Sequence, residues 1–159
     1  MLKLTPEVFD PWHYTTENCA VFLKKYLTAG QSVLDIGTGS GILAIKAREY
    51  GAGKITAVDI KPKAVALASE NCRDLDIEVK EGYLNWNTDG KYDITIANLD
   101  PAPAAEFIQF AANTMSENGI LILTWDEHLS FLILEQYFDI LERTTGLPFN
   151  TFVLKTKQH

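Results

Sequence analysis

The chain is poor in the residues that build metal centres and cross-links. Its 159 residues include two cysteines, Cys19 and Cys72, and three histidines, His13, His128 and His159. None falls at the spacing of a zinc or iron ligand set, so no metal site is expected. Two scattered cysteines make no disulfide framework, and reduced cytoplasmic thiols are the expectation. Long apolar runs are missing too. Phe131-Leu132-Ile133-Leu134 is among the longest and is far too short to span a bilayer. Met1 to Glu7 lacks the apolar stretch of a secretory signal. Positive charge is scarce: 14 Lys and Arg face 21 Asp and Glu, a net charge of −7. Binding a phosphate backbone needs Lys and Arg gathered on one face. Only Lys24-Lys25 and the Lys155/Lys157 pair are grouped, which disfavours nucleic acid as the main partner. A basic protein partner is compatible with the charge. The chain carries no repeat and is one domain's worth, expected to span 1–159 with 1–15 as a lead-in.

What the chain does have is a glycine loop behind a short apolar run, Val33-Leu34-Asp35-Ile36-Gly37-Thr38-Gly39-Ser40-Gly41. It reads as a buried strand, a tight turn and a helix starting near Ile42. Glycine tolerates positive φ and has no Cβ to collide with a ligand. The dinucleotide fingerprint needs a third small residue at the spacing G-x-G-x-x-G/A. Here the spacing is G-x-G-x-G, and Ile42 stands where that residue would fall. Asp35, two residues before Gly37, would repel a pyrophosphate but suits a ligand bearing an ammonium group. The pattern D-x-G-x-G-x-G resembles motif I of the Rossmann-like S-adenosylmethionine (SAM) methyltransferases. That resemblance implies SAM as cofactor, with Asp35, Gly37, Thr38, Gly39 and Gly41 in its site.

Asp59 lies eighteen residues beyond Gly41, at the end of a second apolar run, Lys54 to Asp59. An acid at that place accepts from ribose hydroxyls in dinucleotide folds, and the ribose of SAM offers the same diol. Asp59 would also suit as a cap for the helix that Pro62 opens. Ile60 is counted with it in the cofactor site.

The remaining segments alternate, which argues for an α/β fold with a mainly parallel sheet. Helices are expected at Glu17–Ala29, with Gly30 as its cap, and at Gly41–Tyr50, Pro62–Arg73, Ala104–Met115 and Glu127–Phe138. Strands are expected at Ser32–Ile36, Lys54–Asp59, Ile77–Glu81, Tyr92–Ala97 and Ile120–Thr124, with turns at Asn87–Gly90 and Glu117–Gly119. Two closing strands, Ile140–Thr144 and Thr151–Thr156, are joined by a turn short enough only for antiparallel neighbours. The whole is a Rossmann-like seven-stranded mainly parallel sheet, with helices on both faces and a C-terminal antiparallel hairpin. Ligands in such sheets bind beyond the carboxyl ends of the strands. Asn98, just past the fourth strand, is therefore the catalytic candidate and also a cofactor contact. Its run Asn98-Leu99-Asp100-Pro101 lacks the first proline and the aromatic of the N-P-P-Y motif found in amide- and adenine-directed methyltransferases.

His13-Tyr14-Thr15-Thr16 precedes the first helix, and Ala97-Asn98-Leu99 ends the fourth strand. With Leu34 to Ile45 and Ala57 to Val65, these runs resemble the ribosomal protein L11 lysine methyltransferases from about Phe9 to Leu123. As residues, Thr15 and Thr16 suit a helix cap, and His13 a structural hydrogen-bond donor. The resemblance implies that the threonines touch the SAM carboxylate or the acceptor site. It implies N-methylation of a protein lysine or amine, with a ribosomal protein as partner. Two departures stand out. Phe9-Asp10-Pro11-Trp12 replaces a glycine- and threonine-rich turn, and the family's separate recruitment domain is absent from the sequence. Gly82-Tyr83 stands where relatives carry Gly-Asp, so Tyr83 either packs on adenine or belongs to the core. Other readings are a SAM-binding module without catalysis of its own, and a methyltransferase acting on a small molecule or RNA. A nicotinamide oxidoreductase is disfavoured by the glycine spacing.

Overall fold

The computed structural model describes residues 1–8, 10, 13–82, 90–99, 104–126, 131–144 and 149–157. Tyr83, most of the turn before Gly90, and Asp100 to Pro103 lie outside the described residues. Seven strands form one sheet: β1 (Val33–Ile36), β2 (Ile55–Asp59), β3 (Glu78–Glu81), β4 (Tyr92–Ala97), β5 (Met115–Asp126), β6 (Phe138–Arg143) and β7 (Phe149–Thr156). The helices are α1 (Tyr14–Tyr26), α2 (Ile42–Glu49), α3 (Pro62–Asn71), α4 (Ala104–Thr114) and α5 (Phe131–Tyr137). The order across the sheet is β3-β2-β1-β4-β5-β7-β6. β1 lies at the centre, parallel to both β2 and β4. β7 is antiparallel to β5 and to β6, so it alone runs against the rest. This is the mainly parallel sheet with a closing hairpin that the alternation predicts, with the hairpin's second strand inserted beside β5.

β1 and β2 are buried along their whole length, as strands covered on both faces must be. Side chains alternate between the two faces. Leu34, Ile36 and Val58 join Phe107, Ile108, Trp125 and Phe138 in one core. Val33, Ile55, Ala57 and Ile96 join Cys19, Phe22, Leu23, Leu43 and Ala44 in the other. Helices α1 and α2 thus cover one face, and α4 and α5 the other. From β1 the chain turns towards β2, whereas β4 lies on the opposite side of β1. The carboxyl ends of β1 and β4 therefore flank a switch point, where a crevice opens.

Several boundaries differ from the sequence expectation for local reasons. α1 starts at Tyr14, not Glu17, because His13 caps it: the His13 side chain accepts from the Thr15 N–H. The threonines are not the cap. They lie buried in the first turn, and Cys19, Phe22 and Leu23 continue the buried face at helical spacing. α1 ends at Tyr26 with Leu27 as its cap. Gly30 sits in the following turn, where its N–H donates to the Gly51 carbonyl. The turn at Glu117–Gly119 does not start β5. It is an irregularity within the strand, because Tyr92 pairs with Met115 and Ile94 already pairs with Ile120. Among the described residues, no helix is long and apolar enough to cross a membrane.

Gly41 joins the loop to α2. It caps the helix at φ +85°, and a Cβ there would stand 2.9 Å from Cys72 Sγ and 3.5 Å from Ala68 of α3. Gly41→Ala should destabilise the fold by about 1–3 kcal/mol in denaturant unfolding, from left-handed strain plus the clash. Adding Cys72→Ala should recover the steric part and leave the strain of about 1 kcal/mol.

Candidate active site

A cavity of about 990 Å³ opens along the carboxyl edge of the sheet. Gly37 and Gly39 form its floor beside β1, and Val58, Asp59, Ile60 and Gly82 form one wall. Asn98, Leu99, Phe107, Phe110, Thr124 and Phe149 line the other end, and Glu7 and Val8 close the outside.

Asp59 holds the first end together. Its Oδ2 accepts from the Gly39 N–H at 3.0 Å and its Oδ1 from the Lys61 N–H at 2.9 Å. Each carboxylate oxygen keeps a lone pair for a ligand hydroxyl, and the residue lines the cavity. The expected capping role is not realised: Lys61 is the N-cap of α3, the helix has no side-chain cap bond, and Asp59 holds only the Lys61 N–H just before it. The Val58 carbonyl accepts from the N–H groups of Gly37 and Thr38, so β2 grips the loop at a second place.

Asp35 is only 1% exposed and does not line the cavity. Its Oδ2 accepts from the Thr38 hydroxyl at 2.6 Å, and the Ala44 N–H also donates to the carboxyl. The direct contact with a cationic ligand expected from the sequence gives way to an internal role: Asp35 ties the loop to the first turn of α2. Burial drives its pKa up from 3.8 to about 6, the hydrogen bonds oppose that rise, and the Asp59 charge adds to it. Thr38, Gly41 and Thr16 also lie behind the cavity wall, not on it. Gly37 has a packing reason to lack a side chain, since its Cβ would meet Leu99 Cδ2 at 1.7 Å. Two of the three loop glycines thus make room for protein, Leu99 at Gly37 and α3 at Gly41.

At the other end, Asn98 donates through Nδ2 to the Thr16 hydroxyl oxygen at 3.0 Å. That bond fixes the amide plane from α1 and joins the H-x-T-T element to the strand-four asparagine. Thr15 lines the cavity, and its hydroxyl lies 2.9 Å from His13 Nδ1. His13 Nδ1 accepts from the Thr15 N–H at the start of α1. The Tyr14 hydroxyl donates to the Phe149 carbonyl at 3.4 Å and accepts from the Phe149 N–H at 3.2 Å, pinning the start of β7. None of the described side chains lining this end is ionisable. Cys19 lies behind Thr124, and burial pushes its thiol up to about 12, which leaves it inert.

The family model of ribosomal protein L11 methyltransferase (PrmA) matches residues 12–156. The chain belongs to the ribosomal protein L11 methyltransferase family. The enzyme of that name from Thermosipho africanus is 34% identical over 145 residues, which cover 90% of this chain and 55% of that protein. The one from Dictyoglomus thermophilum is 40% identical over 112 residues, covering 69% of this chain and 37% of that protein. A crystal structure of ribosomal protein L11 methylase from Lactobacillus delbrueckii superposes with a TM-score of 0.86 at 27% identity, covering 99% of this chain and 86% of that one. The matched stretches span only 55% and 37% of the length of these two curated relatives. Membership in this methyltransferase family implies S-adenosyl-L-methionine as cofactor.

The cavity suits that cofactor. The Asp59 carboxylate stands at the end of β2, Gly39 exposes backbone beside it, and the volume exceeds what one nucleoside needs. Among the sequence candidates, Thr15, Gly37, Gly39, Asp59, Ile60 and Asn98 meet on the cavity. Sequence reading missed Val8, Leu99, Phe110 and Phe149. Phe107 serves both core and cavity.

The raised pKa of Asp35 has a measurable consequence. An acid that is protonated more readily in the folded state adds stability that is complete below pH 3.8 and is lost as pH rises through about 6. Relative to Asp35→Asn, the wild type should lose about 3 kcal/mol of unfolding free energy across that window. The Asn variant should lack this slope, because its side-chain amide does not titrate, and the Thr38 hydroxyl can turn to accept from it.

Proposed function

We propose that the protein is a SAM-dependent methyltransferase that methylates a nitrogen of a protein acceptor, with ribosomal protein L11 as that acceptor. The observation that carries this reading is the juxtaposition in one cavity of Asp59 with the glycine loop and of Asn98 with an apolar end. Asp59 and the Gly39 backbone would hold the nucleoside. Ile60, Val58 and Gly82 offer the flat apolar surface a purine needs. When bound, SAM supplies a methyl group on a sulfonium, which is a strong electrophile.

The rest falls to this chain's own residues. Asn98, held by Thr16, presents an amide of fixed orientation to the acceptor. An ammonium has no lone pair, so a lysine acceptor must first lose a proton. Phe107, Phe110 and Phe149 exclude water around Asn98, and desolvation lowers a lysine pKa. The described walls at this end hold no acid or base, so desolvation and orientation do the work that a general base would do elsewhere. An acceptor of this kind places the reaction in the cytoplasm.

Titration calorimetry tests the cofactor half. The wild type should bind SAM, and Asp59→Ala should bind it at least about tenfold more weakly, the effect of one charged hydrogen bond. Equal affinities would remove Asp59 from the site. Transfer of tritiated methyl from SAM to purified ribosomal protein L11 tests the acceptor half. Asn98→Ala should lower kcat/KM by about a hundredfold through lost orientation. Absence of label in the wild-type reaction would reject this acceptor.

A further inference from the structure

We infer that Asn71 is a positioning residue for the cofactor cavity: one side-chain amide fastens the glycine loop to an N-terminal strap that forms the cavity's outer wall. The inference rests on the reading of this cavity as the SAM site. Asn71 is the last residue of α3 and does not itself line the cavity. Its Nδ2 donates to the Ser40 carbonyl at 2.8 Å and to the Lys3 carbonyl at 3.0 Å. Its Oδ1 accepts from the Lys3 N–H at 2.8 Å. Both amide hydrogens and the carbonyl oxygen are therefore used. The amide cannot be turned over, because Ser40 and Lys3 each present a carbonyl to the nitrogen.

The two things it joins both border the cavity, the glycine loop through Gly39 and the strap through Glu7 and Val8. Ser40 stands between Gly39 and Gly41 and is 2% exposed. Lys3 begins the strap, which continues to Glu7 and Val8 at the cavity mouth. There Val8 Cγ1 stands 3.3 Å from the place a Gly39 Cβ would occupy, so strap and loop are in contact at both ends. A Val8 N–H to Thr5 carbonyl bond of 3.2 Å shapes the strap between them. Ion pairs from Lys3 to Glu70 and from Glu7 to Lys63 add to the attachment. Both are largely exposed, and such pairs are weak and screened by salt. The Asn71 amide is the specific link, because only an amide offers two donors and an acceptor at this reach. A carboxylate there would point lone pairs at two carbonyls. With the link broken, the loop keeps its shape through Asp59 and Asp35, but the outer wall is freed, and bound cofactor escapes faster.

Two variants test this, Asn71→Asp and Asn71→Ala, alongside a chain lacking residues 1–4, which removes the pinned end without touching α3. In cofactor-free protein, hydrogen exchange at the Lys3 and Val8 amides should rise at least about tenfold in the Asn71 variants. The SAM dissociation rate, followed by stopped-flow competition with S-adenosylhomocysteine, should rise by about tenfold, while the association rate changes little. The truncation should match the Asn71 variants in dissociation rate, and combining the two should add nothing. Unchanged exchange and unchanged dissociation in Asn71→Asp would overturn the inference and leave the cofactor reading intact. Failure of the wild type to bind SAM would instead sink the cofactor reading, and exchange at Lys3 would then decide alone whether Asn71 pins the strap.

Discussion

Two backbone amides, from Gly39 and Lys61, converge on the single carboxylate of Asp59. The rest of the site depends on that convergence. It fixes the middle of the glycine loop, the end of β2 and the entry to α3 relative to one another. Backbone N–H groups near a cavity must find partners, and a carboxylate is the strongest acceptor a side chain can offer. The same atoms that stabilise the loop face the ligand space. Fold and cavity therefore share one anchor.

The second acid has the opposite fate. Asp35 lies in the same loop region, yet β1 is buried on both faces, and alternation turns its side chain toward the Cys19 and Thr38 side. There it holds a hydroxyl and the Ala44 N–H. One carboxylate is thus spent inside the protein on joining loop to helix, and the other is kept at the surface of the cavity. Sequence position alone does not separate these roles, because both acids sit beside apolar strands. What separates them is direction: Asp35 is inside a central strand, whereas Asp59 ends one.

The glycine loop, the acid of β2 and the asparagine of β4 were legible because each is a local pattern tied to a strand end. The topology then brings strand ends together with no further information. The misses have a common cause. His13 as a cap depends on a two-residue contact that histidine makes less often than Asp, Ser or Thr. The Tyr14 clamp on Phe149 joins residues 135 apart, and the Asn71 link to Lys3 joins residues 68 apart. No periodicity encodes such pairs. The loop glycines were read as clearance for a ligand, but at Gly37 and Gly41 the clearance is for Leu99 and for α3. Absence of a Cβ says that something comes close, not what.

Charge is divided along the cavity in a way that follows from which strands supply its two ends. The β2 end brings Asp59, and the neighbouring strap and α3 bring Glu7, Lys61 and Lys63. The end built from β4, β5, α4 and β7 brings Asn98, Thr124 and three phenylalanines, all neutral. The hairpin that closes the sheet adds to the apolar end, since Phe149 opens β7 beside Phe107 and Phe110 of α4, and Tyr14 holds it in place. The antiparallel strand inserted beside β5 thus does more than cover a sheet edge. It completes a cavity with one charged end and one neutral end.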